Sequence, residues 1–329
     1  MFGFKKKKYL DCPHLKHTLH LFYGEIRACC SNVKGPVFYG DYDGRTPVCA
    51  DYIYKKRKEY IKKINSPFCA ESAPAECRGC YLAEGFMSDK KAEPFENRIK
   101  TVFIQNNMSC NAKCTYCTFK NEKRGYTYTA APVIKALFEN NALDKKAQMI
   151  LSGGEITITP DFEELIDFII KNLDSQIFIS TSGIKYSKSI ENAFVMNKCW
   201  QTISLDSGTN ETYLKIKQTD SFDKVINNLK HYRDASENAG KCTILKYILI
   251  KGVNDNKQEI DAFFNIVKEL EIKNVRIDID YEVYSFNNDN IVPDYQRELI
   301  NYFNKTAAEF GITAMTNEQT EAILNKKQK

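Results

Sequence analysis

The chain has 329 residues, of which 43% are hydrophobic and 27% charged, an ordinary balance for a soluble globular protein. That size supports a large buried core without disulfide staples, and a net charge of only +5 gives no argument for a nucleic-acid partner. No stretch approaches the ~18 continuous apolar residues of a membrane helix, and the basic N-terminus MFGFKKKKYLDCP lacks the apolar stretch of a signal peptide, so a cytoplasmic protein without membrane partners is expected.

Disulfides are rare in that compartment, so twelve cysteines argue for metal or redox chemistry. Their distribution is uneven: seven precede residue 81, three fall at 110–117, and only Cys199 and Cys242 follow. Three regions are expected: a cysteine-rich head at 1–95, a body at 96–285, and a C-terminal helical segment and tail at 286–329.

In the head, TLHLFY and IRACC read as two short strands joined by a tight turn at Gly24-Glu25. Cys12 and Cys29 flank this hairpin as C-x11-G-x4-C, and Cys77 and Cys80 form a C-x2-C downstream. His14, His17 and His20 follow Cys12; the first two are expected in a loop and His20 facing solvent. YIYKKRKEYIKKI at 52–64 reads as a helix whose basic run is a solvated face or attracts an acidic partner.

From residue 100 strand and helix alternate. Strands are expected at 100–107, 147–154, 176–183, 200–206, 243–250 and 274–281. Helices are expected at 131–143, 222–232, 257–270 and, after an N-cap at Thr159 with Pro160 in the first helical position, through residue 173. Phe162, Leu165, Ile166, Ile169, Ile170 and Leu173 form the apolar face of that last helix. A further helix at 292–309 turns Leu299, Ile300 and Phe303 inward, and NKKQK at the end is expected to be disordered.

Six βα units argue for a parallel sheet with helices outside it, too few for a complete eight-stranded barrel. Chemistry then gathers at the C-terminal strand ends. Cys110, Cys114 and Cys117, SGGE at 152–155, STSG at 180–183 and SLD at 204–206 all lie on that rim, whereas Cys199 and Cys242 sit at strand starts and read as packed thiols.

Thiolates hold four-iron clusters normally one per iron, so the three of SCNAKCTYC leave one iron for a substrate or cofactor. C-x3-C-x2-C after the first strand, with Tyr116 just before the last cysteine, resembles the radical S-adenosylmethionine enzymes, over roughly residues 96–285. The resemblance implies an α/β fold with a partial (βα)6 TIM-like barrel, preceded here by a small cysteine-rich α+β auxiliary domain. It implies Cys110, Cys114 and Cys117 as ligands of a [4Fe-4S] cluster whose open iron is chelated by the methionine part of S-adenosyl-L-methionine. Gly153, Gly154 and Glu155 resemble the family's glycine-glycine-glutamate segment, which receives the cofactor's amino group, with Ile156 where the family usually has proline. Ser204 and Asp206 resemble positions that bind ribose hydroxyls, and Ser180 and Thr181 are further candidates. The implied chemistry is reductive cleavage of the sulfonium to a 5′-deoxyadenosyl radical, which takes a hydrogen atom from a sugar, peptide or other small metabolite.

The head resembles the twitch or half-SPASM modules of the same superfamily, in which a hairpin and a C-x2-C hold an auxiliary [4Fe-4S] cluster, although those modules usually follow the barrel. That implies Cys12, Cys29 (or its neighbour Cys30), Cys77 and Cys80 as ligands, and a net two-electron oxidation with flavodoxin or ferredoxin as reductant. An epimerase using Cys30, Cys49 or Cys69 as hydrogen donor, and a non-catalytic zinc-stabilised binding protein, are the alternative readings.

Overall fold

The computed structural model describes residues 9–29, 38–41, 50–64, 77, 80, 86–90, 98–117, 119, 128–281, 283–284 and 291–325. Cys30, Cys49, Cys69 and residues 326–329 lie outside this set. The chain begins with β1 (Tyr9–Leu10), α1 (Pro13–His17), β2 (Thr18–Phe22), β3 (Glu25–Arg27), β4 (Phe38–Asp41), α2 (Ala50–Ile64) and β5 (Met87–Ser88). It continues through β6 (Ile99–Gln105), α3 (Ala131–Glu139), β7 (Leu143–Leu151), α4 (Phe162–Asn172), β8 (Ile177–Thr181), α5 (Lys188–Val195) and β9 (Cys199–Ser204). The remainder is α6 (Asn210–Lys217), α7 (Phe222–Ala235), α8 (Glu237–Cys242), β10 (Thr243–Leu249), α9 (Lys257–Glu269), β11 (Asn274–Ile279), α10 (Asp294–Glu309), β12 (Thr313–Met315) and α11 (Glu318–Leu324).

These elements fall into two compact units, one of residues 1–107, 126–153 and 159–177, the other of residues 108–125, 154–158 and 178–329. In the first, β2 and β7 flank β6 in parallel, and β3 and β4 extend the sheet beyond β2 as antiparallel strands. In the second, β9, β10, β11 and β12 pair in parallel. The fold is α/β and dominated by parallel pairing, as the alternation of strand and helix required.

Strand alternation decides what each face of the second unit carries. On β10, Leu245, Tyr247 and Leu249 turn into a core shared with Phe263, Phe264 and Phe303 of α9 and α10. The intervening Ile244, Lys246 and Ile248 therefore occupy the opposite face. All six apolar residues expected on α4 are buried, as are Leu299, Ile300 and Phe303 and the thiols of Cys199 and Cys242.

Several local expectations are corrected. The helix expected to span 131–143 stops at Glu139, and β7 begins at Leu143, upstream of the apolar run; its register against β6 shifts between Ile99 and Thr101, which accommodates the exposed Lys145 and Lys146. The hairpin turn sits at Tyr23-Gly24, with φ of 44° and 91°, one residue earlier than expected. His14 and His17 lie in α1 instead of a loop. His20 is buried, its ring packed edge-on against Phe22 and Phe103, and its Nε2 pairs with Gln105 Oε1 at 2.7 Å. Burial pushes its imidazole down to about 4. The basic run of α2 is not wholly solvated either: Arg57 is buried and donates to the carbonyl of Lys16.

The start of α4 is also displaced. Its N-cap is Asp161, whose carboxylate serves α3 instead, accepting from the N–H groups of Ala130 at 2.6 Å and Ala131 at 2.7 Å. These are donors a helix N-terminus leaves without intrahelical partners. Asp161→Ala is expected to lower stability by about 1–2 kcal/mol, read by urea unfolding, and to speed amide exchange at Ala130 and Ala131 before exchange elsewhere in α3.

Candidate active site

The loop that follows β6 carries Cys110, Cys114 and Cys117, all partly exposed. Its conformation is set by contacts within the second unit. The last carbonyls of α6 lack intrahelical donors, and the loop supplies them: Lys113 N–H bonds Lys217 O at 2.9 Å and Thr115 N–H bonds Ile216 O at 3.0 Å. Cys117 N–H closes a turn on Cys114 O at 3.2 Å, and Ala112 N–H points at Cys110 Sγ at 3.4 Å.

The Gly154-Glu155 segment locks the start of the loop. A Cβ on Gly154 would stand 2.3 Å from the carbonyl oxygen of Ser109 and 2.8 Å from the carbonyl carbon of Met108, so only glycine permits this approach. The same Ser109 carbonyl accepts from Glu155 N–H at 2.8 Å. In the first unit, Gly153 has φ of +113° and would carry a Cβ 3.1 Å from Asn107 O.

Glu155 is 1% exposed and its carboxylate is fully engaged. Oε1 accepts from Thr157 N–H at 3.1 Å, Thr157 Oγ1 at 2.6 Å and Thr181 Oγ1 at 2.7 Å, and Oε2 from Ser182 N–H at 2.7 Å. Ser182 Oγ reaches in turn to Asn111 Oδ1 at 3.1 Å, between two of the cysteines. Glu155 and Thr181 thus act as a structural hub, while Ser180 is exposed and Ser204 half-buried at the ends of β8 and β9.

Tyr116 belongs to a second network. Its hydroxyl donates to Asp206 Oδ2 at 2.5 Å and accepts from Lys217 Nζ at 2.7 Å, and Lys217 also pairs directly with Asp206. Asp206 Oδ1 accepts from Ile248 N–H at 2.9 Å, so no face of this fully buried carboxylate is left over. Its backbone, at φ +61°, is fixed by Asn254 Nδ2 on its carbonyl at 2.8 Å. Burial first, then the negative charge of Asp206, raises the Tyr116 phenol well above its usual range, keeping it a donor. Ser182 and Asn111 lie inside the STSG and SCNAKCTYC segments without being singled out by their neighbours, and Lys217 and Asn254 lie in no motif. Lys217 is 101 residues from Tyr116, and nothing local marks it as buried.

In the first unit, Cys29 and Cys77 are buried and Cys12 and Cys80 partly exposed. Burial raises the Cys12 thiol; N–H groups of Leu15 and His14 oppose this, and the nearby Cys29 and Cys80 add to it, so these three thiols share one neighbourhood. Cys80 N–H bonds Cys77 O at 3.2 Å. Among the described residues, no three His, Cys, Asp or Glu side chains gather around one single-ion position.

Residues 108–264, just under half of the chain, match the model of the Radical SAM superfamily. A GTPase Obg of Brachyspira hyodysenteriae is 27% identical over 51% of this chain and 26% of its own length. A GTP 3',8-cyclase of Vibrio atlanticus is 25% identical over 55% of this chain and 56% of its own. Among solved structures, Streptococcus suis SuiB bound to S-adenosylmethionine superposes with a TM-score of 0.53 at 16% identity, covering 83% of this chain and 57% of SuiB. SuiB bound to its precursor peptide SuiA gives 0.52 at 17% identity, covering 66% and 48%. The chain thus spans between about a quarter and just over half of these relatives.

Glu155→Ala would leave four donors without their acceptor: the N–H and hydroxyl of Thr157, the hydroxyl of Thr181 and the N–H of Ser182. A loss of roughly 3–5 kcal/mol is expected on urea unfolding; Glu155→Gln, which keeps one acceptor oxygen, is expected to lose about half of that.

Proposed function

We propose that the protein is a radical S-adenosylmethionine enzyme. The observation that carries this reading is a single loop bearing three cysteines, whose first residues, Met108 and Ser109, pack against Gly154. The donor set is chemically suited to a [4Fe-4S] cluster: three thiolates from Cys110, Cys114 and Cys117, with a backbone N–H directed at one sulfur. The absence of a fourth cysteine on this loop leaves one iron for the cofactor. When bound, cluster and cofactor together supply one-electron cleavage of the sulfonium and hydrogen-atom abstraction from substrate.

The chain's own residues position these groups. The backbone of Gly153-Gly154 offers close approach to the methionine amino group, and Glu155, through Thr181 and Ser182, holds that backbone in place. Ser204 and Ser180 present hydroxyls on the same strand rim for ribose. Asp206 contributes through Tyr116, whose ring it fixes beside the cysteines. The peptide named with SuiB supports a peptide or another small molecule as substrate.

Cys12, Cys29, Cys77 and Cys80 are proposed to hold an auxiliary [4Fe-4S] cluster. Four thiolates leave no iron for substrate, so this group serves as an electron acceptor and the net reaction is a two-electron dehydrogenation. A flavodoxin or ferredoxin is the proposed reductant.

Protein reconstituted without oxygen, reduced and given S-adenosylmethionine is expected to release 5′-deoxyadenosine, and Cys114→Ala to lower that release by at least about a hundredfold, the loss of an essential group. Absence of release from the wild-type protein would refute the reading. Iron content is expected at about eight per chain and, in the Cys77→Ala/Cys80→Ala protein, at about four.

A further inference from the structure

On the second unit's sheet, the face opposite the aromatic core carries a row of polar side chains. Ser204 on β9 is in register with Lys246 on β10, and Lys246 with Arg276 on β11. Paired residues on parallel strands project to the same face. Three hydrogen-bond donors therefore stand side by side across three strands.

Among the described residues they have a single carboxylate acceptor: Arg276 Nη2 pairs with Asp278 Oδ2 at 2.6 Å, and the buried Nε of Arg276 has no hydrogen-bond partner there. Buried donors without partners are uncommon and call for a physical reason. Lys246 has no hydrogen bond or ion pair among the described residues, only the ring of Tyr116, 5.8 Å from Nζ. Two carboxylates act on it, those of Asp206 and Asp278. Both are already held, Asp206 by Lys217 and Tyr116, Asp278 by Arg276. Among the described residues, Lys217, Lys246 and Arg276 are thus set against two carboxylates, Asp206 and Asp278, both fully buried, which leaves one positive charge more than the carboxylates there balance.

We propose that Lys246 and Arg276, beside Ser204, form the subsite for an anionic group of the substrate, a phosphate or carboxylate. Its use in catalysis rests on the radical reading above; the anion site itself does not. Lys246 supplies a point charge and the Arg276 Nε–H a directed donor, a pairing suited to an oxyanion with more than one acceptor oxygen. Placed next to Ser204, the anion would anchor substrate within reach of the adenosyl group.

Inorganic pyrophosphate is the probe, titrated by calorimetry into the full chain at ionic strength matched with potassium chloride. Saturable binding is expected, with Lys246→Met and Arg276→Gln each weakening it roughly tenfold. Lys246→Arg, which keeps the charge, should stay within about threefold of wild type, guarding against a fold defect in the methionine variant. The same variants titrated with S-adenosylmethionine separate the two sources of an oxyanion: an unchanged cofactor affinity assigns the pair to substrate, and a matching tenfold loss would assign it to the cofactor's carboxylate and overturn the proposal. No saturable binding by wild type, or equal binding by Lys246→Met, would also overturn it. Wild-type protein that releases 5′-deoxyadenosine but binds no pyrophosphate refutes this inference alone; protein that binds pyrophosphate and releases none refutes the radical reading and leaves the anion site standing.

Discussion

The carbonyl of Ser109 occupies the space that a side chain at position 154 would need, and the rest of the site depends on that contact. It takes a hydrogen bond from Glu155 and admits only glycine before it. The cysteine loop is therefore fastened at its root before any metal is considered. Further along, the loop is pinned by the open carbonyls at the end of α6 and by Asn111 meeting Ser182. If the loop presents three thiolates to one cluster, as proposed, it gains from such pre-organisation, because ordering it at the moment of binding would cost conformational entropy.

Two buried carboxylates divide the work. Glu155 is held by hydroxyl and amide donors; Asp206 carries Lys217 and Tyr116. Both were expected to touch the cofactor, yet each spends its oxygens on the protein. What they hold is backbone and ring: Glu155 the segment around Thr181 and Ser182, Asp206 the ring of Tyr116. Such a division keeps charged groups from competing with a ligand for one another.

The strands and most helices of the body were legible because they rest on local signals: apolar runs of strand length, and the α4 and α9 faces at helical spacing. The cysteine spacing and the Gly-Gly-Glu segment were legible as a resemblance. What stayed hidden is set by tertiary neighbours. Arg57 and His20 look like surface residues in sequence and are buried by the elements packed over them. Asp161 looks like part of its own helix and caps another. Lys217 meets Tyr116, and Lys246 comes under the charge of Asp206 and Asp278, only because distant strands and helices converge. Short β12 and α11 carry too few residues for periodicity to mark them.

The proposed function requires an iron held by Cys110, Cys114 and Cys117 and left open for the amino and carboxylate groups of the cofactor. Electron–nuclear double resonance of the reduced protein, mixed with S-adenosylmethionine labelled with nitrogen-15 at its amino group, tests it most directly. A nitrogen hyperfine coupling to the cluster is the expected result, lost when Cys110, Cys114 or Cys117 is replaced. A reduced cluster whose spectrum shows no such coupling at saturating cofactor would contradict it.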